Sequence, residues 1–169
     1  DYLVSEVLQQ QPIETQAFLC ATSILDRLTA PLCAAVTGVA DSQSVLEQLE
    51  RTNLFLVPLD QRREWYRYHR LFAEVLRAML TPEEQGLLHR RAMDWYAGQE
   101  AMEPAIQHGL AYASLSGDSG PAEELIRRAL EGALLSGAVM TAHGWLDALP
   151  QERLDQDAEL ATYRGWVLC

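Results

Sequence analysis

Lysine does not occur in the 169-residue chain, and all 13 of its basic residues are arginine. This absence excludes the chemistries that need a lysine amine: a Schiff base, a lysine general base and the phosphate-binding lysine of a P-loop. Cysteine is also scarce, because only Cys20, Cys33 and Cys169 occur and no Cys-x-x-Cys pair is present. The chain therefore has neither a disulfide framework nor a zinc knuckle, and we expect a reducing, cytoplasmic compartment.

Positive charge is in deficit, with 24 acidic residues against 13 basic ones and a net charge of −11. Such a chain is poorly suited to non-specific contact with nucleic acid or with an anionic membrane. No apolar run is long enough to span a bilayer, and a composition of 49% apolar and 22% charged residues is typical of globular proteins. Because the last amphipathic pattern reaches Cys169 without a glycine or proline stop, we expect a piece of a longer protein.

The apolar spacing of the first half predicts a series of helices. Apolar residues recur at three- and four-residue steps from Ile13 to Leu28, which indicates one helix. Thr29-Ala30-Pro31 then begins another helix, and Gly38 is a typical helix stop. Asp41 or Ser42 is placed to cap the helix that follows.

A change of pattern after these helices predicts a hairpin. Leu54–Leu59 is a short apolar run closed by a polar turn over residues 60–64, and Trp65–Tyr68 is rich in strand-favouring aromatics. An amphipathic helix follows over residues 71–80. Helices, a hairpin and a further helix are the element order of a winged-helix domain, which we predict over residues 1–80.

The second half, residues 81–169, reads as helix throughout. Small residues alternate with large ones along its apolar stripes, which suits the stacked helix pairs of a tetratricopeptide-like array. Charge also divides near Thr81-Pro82, since residues 1–80 carry a net charge of −3 and residues 81–169 carry −8. We therefore predict a mainly α protein in which the winged helix precedes a helical arm and the beginning of helical repeats.

One motif has the letters of a catalytic loop. Gly117-Asp118-Ser119-Gly120-Pro121 resembles the nucleophile loop of trypsin-type proteases, but an all-helical context supplies no β-barrel, activating histidine or buried aspartate. The segment is better explained as an interhelical linker. No nucleophile–base pair, acid pair or metal-ligand spacing stands out, so we expect neither an enzyme nor a metal site.

The concentrated polar feature of the chain is the hairpin and its exit, which carry Arg62, Arg63, Arg67, His69 and Arg70. His69 lies where strand gives way to helix, and the free N–H groups of a helix N-terminus favour an anion. Histidine and arginine add further donors. The residue chemistry leaves two interpretations open, a phosphate contact and a structural histidine.

Four stretches carry a family resemblance: RTNLFLVPLD, EWYRYHRLFAEVLRAML, SILDRLTAPLCAAVTG and GWLDALP. They resemble the large ATP-dependent transcriptional regulators of the LuxR family, which belong to the STAND class of signal-transduction ATPases. The resemblance covers nearly the whole chain and is densest over residues 2–80. It implies a P-loop nucleotide domain before the winged helix, then a helical arm, sensor repeats that recognise an inducer, and a C-terminal helix-turn-helix that binds DNA.

The resemblance also implies a role for His69. In related STAND proteins a histidine at this winged-helix position contacts the ADP phosphates, and Tyr68-His69-Arg70-Leu71 matches that motif by position. The usual Met-His-Asp form is not present, because Tyr68 and Arg70 flank the histidine. His69 would then be the phosphate contact, with Arg70 and Arg67 as further candidates.

The implied cofactor is ADP or ATP in the full-length protein, which would bind and slowly hydrolyse ATP, with no nucleotide held tightly by this segment. The implied partners are the upstream nucleotide-binding domain, the downstream sensor repeats and a small-molecule or protein inducer. DNA would be bound only through the C-terminal domain, and no membrane is involved. The alternative function is a helical-repeat interaction module, with the winged helix as a structural cap and no nucleotide role.

Overall fold

The computed structural model describes residues 2–52 and 55–167 and places them in eleven helices and a two-stranded sheet. Two compact units are present, residues 1–92 and residues 93–169. Within the described ranges, no helix has the length and apolarity that crossing a membrane requires. The elements are α1 (Tyr2–Gln9), α2 (Ile13–Thr22), α3 (Ala30–Thr37), α4 (Ser42–Arg51), β1 (Leu56–Pro58), β2 (Tyr66–Tyr68), α5 (Arg70–Ala78), α6 (Pro82–Gly98), α7 (Met102–Ser116), α8 (Gly120–Leu135), α9 (Val139–Asp147), α10 (Gln151–Gln156) and α11 (Ala158–Val167).

The first unit has the element order that the sequence predicts, and both the mainly α class and the winged helix are confirmed. Helix α2 packs on α3 and α5, α3 packs on α4, and α4 contacts β1. The strands pair antiparallel, with Leu56 opposite Tyr68 and Pro58 opposite Tyr66. Pro58 therefore lies on an edge strand, where its missing N–H is tolerated. Leu54, the first residue of the predicted hairpin, lies outside the described residues.

The second helix is shorter than its apolar spacing predicts. It ends at Thr22, whose hydroxyl donates to the carbonyl of Phe18 at 2.7 Å, and the Ser23 hydroxyl donates to the carbonyl of Cys20 at 2.7 Å. Leu28 then pairs with β2 on the side away from β1, through hydrogen bonds of 2.8 and 2.9 Å. The prediction of a helix through Leu28 is wrong beyond Thr22, because burial against the sheet produces the same apolar spacing.

The boundaries of the next two helices follow local sequence signals. Thr29 caps α3, its hydroxyl accepting the Leu32 N–H at 3.4 Å, and Gly38 ends the helix at φ 80°, where glycine is favoured. Asp41 caps α4 and accepts the Ser44 N–H at 3.3 Å. Of the two predicted caps for α4, Asp41 is the one that the structure uses.

The two compact units divide inside α6. This helix begins at Pro82, just after the predicted boundary at residue 80, with reciprocal hydrogen bonds of 2.8 and 3.2 Å between Thr81 and Glu84. Its first turns nevertheless pack on the first unit, since the Arg91 guanidinium donates to the carbonyl of Val36 at 2.8 Å. The first compact unit therefore reaches residue 92.

The second unit is built from helices that pack in succession. Helix α7 packs on α8, α8 on α9, and α9 on α11. Gly109 lies at a close approach within this unit, because a Cβ there would lie 3.3 Å from the Ala122 Cα and 3.2 Å from the Met93 Sδ. The main buried side chains of this core are Ile106, Leu125, Ile126, Leu130, Leu146, Leu149, Leu154 and Leu160.

A polar cluster ties α8 to α10 within this core. Glu123 is only 6% exposed, and it accepts two hydrogen bonds of 2.9 Å from the Arg153 guanidinium. The hydroxyl of Ser119 donates to the same carboxylate at 2.5 Å. Ser119, the residue at the nucleophile position of the protease-like motif, therefore belongs to a structural hydrogen-bond network.

Two glycine substitutions give opposite expected effects on stability. Gly132→Ala places a Cβ where, apart from the neighbouring backbone of α8 itself, no atom of the described residues lies within 4 Å, so we expect the free energy of unfolding to rise by about 0.5–1 kcal/mol. Gly109→Ala places its Cβ against the α8 backbone, and overpacking is expected to produce a net loss of about 1 kcal/mol. Urea denaturation of both variants measures the difference, and equal gains would contradict the close approach.

Candidate functional site

His69 occupies the junction between β2 and α5. It is the N-cap residue of α5, with φ −59° and ψ 134°, and its side chain is exposed. Its backbone N–H donates to the carbonyl of Phe55 at 2.8 Å, and its own carbonyl accepts the Ala73 N–H at 3.0 Å. The imidazole makes no capping hydrogen bond. The N–H and the carbonyl of His69 are therefore both held by hydrogen bonds, while its imidazole ring remains available for an external contact.

The first turn of α5 supplies further donors for an anion. Arg70, Leu71 and Phe72 begin the helix, and this turn contains no acidic residue. The first N–H groups of a helix have no intrahelical acceptor, and the helix dipole places a partial positive charge there. An uncapped, acid-free helix start of this kind suits a phosphate or carboxylate ligand.

Arg67 and Arg70 come together at a cavity of about 420 Å³ between β2 and α5. The Arg67 side chain is exposed and, within the described parts of the chain, its guanidinium has neither a hydrogen bond nor an ion pair, whereas the Arg70 guanidinium pairs with Glu74 at 2.9 Å. His69 does not contribute to this cavity. Its lining residues are Leu25, Asp26, Arg67, Tyr68, Arg70, Ala73, Glu74 and Arg77.

The two arginines of the hairpin turn do not join this cavity. Arg63 has a left-handed backbone, φ 56°, and its guanidinium pairs with Glu50 of α4 at 3.1 Å. Arg62 is exposed in the turn. The arginines that the sequence places together are therefore separated in the structure. Arg63 is directed toward α4, while Arg67 and Arg70 line the cavity between β2 and α5.

Arg77 is a site residue that the sequence analysis missed. Its Nη2 donates to the carbonyl of Ser23 at 2.8 Å, and its buried Nε has no hydrogen-bond partner in the described structure. It lies on α5 seven residues after Arg70, and seven residues are close to two helical turns. That spacing is the signal that places both arginines on one side of α5 and at one cavity.

Aromatic side chains hold the start of α5 in place, Phe72 and Tyr68 being buried and Phe55 partly exposed. Phe72 contacts Phe55 with ring centroids 4.9 Å apart and Tyr68 with centroids 5.7 Å apart. The hydroxyl of Tyr68 is hydrogen-bonded to that of Thr22 at 2.7 Å inside the core. These contacts fix the strand that precedes His69 to the helix that follows it.

The thiols of the first unit show no sign of nucleophilic activation. Cys20 and Cys33 are free, and burial raises the pKa of the Cys33 thiol to about 12, so it stays protonated at neutral pH. Cys169 lies outside the described residues. Over residues 2–52 and 55–167, no group of three histidine, cysteine, aspartate or glutamate side chains is arranged to hold a metal ion.

Comparison with known proteins identifies relatives of the whole chain. The profile of the MalT winged helix domain matches residues 4–88. The chain is 32% identical over 171 residues to the HTH-type transcriptional regulator MalT of Klebsiella pneumoniae (strain 342), and 34% identical over 171 residues to that of Yersinia pestis (strain Pestoides F). Each comparison covers 99% of this chain and 18% of the regulator.

Proposed function

The chain belongs to the MalT winged helix domain family, and on that premise we propose that it is the regulatory segment of an ATP-dependent transcriptional regulator. In this proposal the winged helix responds to the nucleotide state of a preceding P-loop domain. The helical region passes the change to sensor repeats that follow. The matched regulators carry the name of HTH-type transcriptional regulators, and the chain spans 18% of their length.

The observation that carries the proposal is the uncapped N-terminus of α5 with His69 beside it. The donor set fits a phosphate group: free N–H groups of the first helical turn, an imidazole without a capping bond, and no acidic residue in that turn. Arg67 and Arg70 lie on the neighbouring cavity and add positive charge. A bound ADP would supply the anionic phosphates, and His69 would be the residue that meets them.

Regulation requires that this contact differ between two states. A contact present equally in both states shifts no equilibrium, however strong it is. We propose that His69 meets the nucleotide in the closed, ADP-bound state and loses it in the open, ATP-bound state. The junction position favours such a role, because a shift of the hairpin relative to the P-loop domain would carry His69 with it.

DNA contact by the regulator is proposed for a domain outside this chain. Helix α3 has no charged residue, and direct readout of a base pair needs basic or amide side chains on the recognition helix.

The reduced thiols Cys20 and Cys33 fit the cytoplasm as the compartment in which the regulator acts.

Removing the imidazole tests the proposal directly. We expect His69→Ala in the full-length regulator to release ADP about tenfold faster, which corresponds to about 1.4 kcal/mol of lost binding, and to raise basal transcription. Release of a fluorescent ADP analogue measures the rate, and a reporter gene measures the transcription. Arg62→Ala is the matched control, because Arg62 is an exposed arginine in the turn of the same hairpin and does not line the cavity beside α5. Unchanged ADP release in His69→Ala would refute the nucleotide role.

A second candidate function, a helical interaction module, is favoured by an exposed apolar pair in the second unit. Leu135 and Met140 flank the turn between α8 and α9, and both side chains are largely exposed. Such residues are typical of a surface that a partner chain covers. Limited proteolysis of the full-length protein separates the two functions: ADP protects the hairpin if His69 contacts nucleotide and leaves its cleavage unchanged if the chain is only an interaction module.

A further inference from the structure

A groove of about 440 Å³ lies between α2, the end of α5 and the first turns of α6. All of the residues that line it belong to the first unit, and none of them lines the cavity between β2 and α5. The groove is therefore distinct from the candidate phosphate site. We call it the α2–α6 groove, and its walls include Cys20, Met79, Leu80, Glu84, Leu87 and Arg91.

The lining of the α2–α6 groove is mostly apolar. Met79 is 56% exposed and Leu87 is 62% exposed, so two large apolar side chains of this lining face solvent. The Cys20 side chain, from α2, is partly buried in the same lining. Small-molecule sites in proteins are clefts of about 300–1,000 Å³ with an apolar lining and a few polar groups that orient the ligand. The volume and the lining of this groove meet that description.

Hydrogen bonds fix the helix that forms one wall of the groove. The side-chain amide of Gln85 donates to the carbonyls of Arg77 and Leu80, both at 3.2 Å, and so ties α6 to the end of α5. The Arg91 guanidinium donates to the carbonyl of Val36 at 2.8 Å and ties α6 to α3. Because its walls are already held in place, the groove needs little reorganisation to accept a ligand, which keeps the cost of binding low.

Glu84 supplies a negative charge to the groove. One of its carboxylate oxygens accepts the Thr81 N–H at 2.8 Å, and the other has neither a hydrogen bond nor an ion pair within the described residues. Burial and, to a smaller degree, this carboxylate raise the pKa of the Cys20 thiol, so the charge lies close to the thiol. Arg91 lies seven residues farther along α6, about 10 Å along the helix axis, and its guanidinium is directed to α3. The charge beside Cys20 is therefore negative and open to a ligand.

We infer that the α2–α6 groove binds a small amphipathic cation, whose apolar body contacts Met79 and Leu87 and whose ammonium group pairs with Glu84. A wholly apolar ligand would take water from this carboxylate without replacing it, and an anionic ligand would be repelled by it. An ammonium group replaces the lost water with a charge-assisted hydrogen bond. The inference goes beyond the proposed function and does not depend on it, because the groove and the His69 site share no residue.

The reactivity of the native Cys20 thiol measures whether the groove is occupied. We expect millimolar 4-phenylbutylamine to slow the reaction of Cys20 with a maleimide at least fivefold. Its anionic analogue 4-phenylbutyrate, of similar shape, should change the rate less than twofold. Mass spectrometry of the peptides separates Cys20 from Cys33 and Cys169. An unchanged rate with the amine would overturn the site, and equal slowing by both compounds would overturn the assignment to a cation.

Two neighbouring glutamates test the part assigned to the carboxylate. Glu84→Gln should weaken the binding of 4-phenylbutylamine about tenfold, the equivalent of about 1.4 kcal/mol. Glutamine is also found at this position of a capping box, so the start of α6 is preserved. Glu83→Gln is the matched control, because Glu83 is exposed one residue earlier and does not line the groove. Equal affinities in the two variants would overturn the pairing with Glu84.

Two exposed leucines test the apolar contact in the same way. Leu87→Gln should weaken the binding of the amine about fivefold, because the substitution removes part of the apolar lining. Leu71→Gln is the control, since Leu71 is 64% exposed, close to the 62% of Leu87, but does not line the groove. Equal effects of the two substitutions would overturn the apolar contact.

The full-length regulator distinguishes a small ligand from a covering protein domain. Without added amine, Cys20 of the full-length regulator should react within threefold of its rate in the 169-residue chain. Protection of Cys20 in the absence of the amine would overturn a small-molecule ligand, because another domain would then cover the groove. Addition of the amine should slow the reaction in both proteins.

Discussion

Replacing Phe72 with alanine is expected to lower the free energy of unfolding of the first unit by about 3–5 kcal/mol, the usual cost of truncating a buried phenylalanine. The side chain is 1% exposed and contacts the rings of Phe55 and Tyr68 at centroid distances of 4.9 and 5.7 Å. Alanine would leave a cavity between the hairpin and α5. The loss would also free the segment that positions His69.

The neighbouring residue provides the control for this experiment. Leu71 is 64% exposed, so Leu71→Ala should change the free energy of unfolding by no more than about 0.5 kcal/mol. Urea denaturation of both variants measures the stability, and hydrogen exchange at the α5 amides assigns the loss to the first unit. A loss below about 1 kcal/mol for Phe72→Ala would contradict a close-packed aromatic core at this junction.

The second large effect is expected at Glu123, where Glu123→Gln removes a charge-assisted pair between a buried carboxylate and a half-exposed guanidinium. Arg153 donates two hydrogen bonds of 2.9 Å to this carboxylate, which is 6% exposed. Glutamine is nearly isosteric but carries no charge, so we expect a loss of about 1–1.5 kcal/mol at pH 7, the lower end for hydrogen bonds to charged groups, because water screens the half-exposed Arg153 side chain. Glu124→Gln, whose side chain is largely exposed, is the matched control.

The same pair makes the stability of the second unit depend on pH. The hydrogen bonds from Arg153, and to a smaller degree that from Ser119, lower the pKa of Glu123 below its usual value of 4.5 despite its burial. A carboxyl group with a lowered pKa in the folded state contributes stability above its unfolded-state pKa and loses it as pH falls through the folded-state pKa. The chain should therefore become more stable than Glu123→Gln as pH rises from 3 to 5.

Denaturation at pH 3, 4, 5 and 7 checks this dependence. The stability difference between the chain and Glu123→Gln should be smaller at pH 3 than at pH 5 and reach its full size by about pH 6. Hydrogen exchange at the amides of α8 assigns the difference to the second unit. A difference that stays constant from pH 3 to pH 7 would show that the carboxylate charge does not contribute.

The features that the sequence by itself determined are those that depend on local chemistry. Gly38 ends α3 because only its backbone adopts the left-handed conformation without strain, and Thr29 and Asp41 cap helices through bonds that span three residues. The order of helices, hairpin and helix likewise follows from the period of the apolar residues. His69 was placed at the strand-to-helix junction by the same reasoning.

The tertiary structure alone decided the features that join distant parts of the chain. The apolar residues up to Leu28 have helical spacing, yet Leu28 pairs with Tyr66, 38 positions along the chain. Burial of an apolar side chain against a sheet stabilises the fold as much as burial against a helix does, so tertiary packing overrides the local preference. Arg63 faces Glu50 and not the candidate site, since its left-handed backbone turns it toward α4. No local pattern encodes such directions.

Some features of the candidate site likewise follow from the sequence, and others follow only from the tertiary structure. The sequence supplied His69, Arg67 and Arg70 as neighbours along the chain, but only the register of the hairpin shows that Arg67 shares an outward face with Val57. Arg77 lines the cavity, and its guanidinium is held by a hydrogen bond to the carbonyl of Ser23, 54 residues away. A sequence fixes which residues are adjacent along the chain and how each segment folds locally. Packing determines which of their side chains face the same space, because that depends on contacts between segments far apart in the chain.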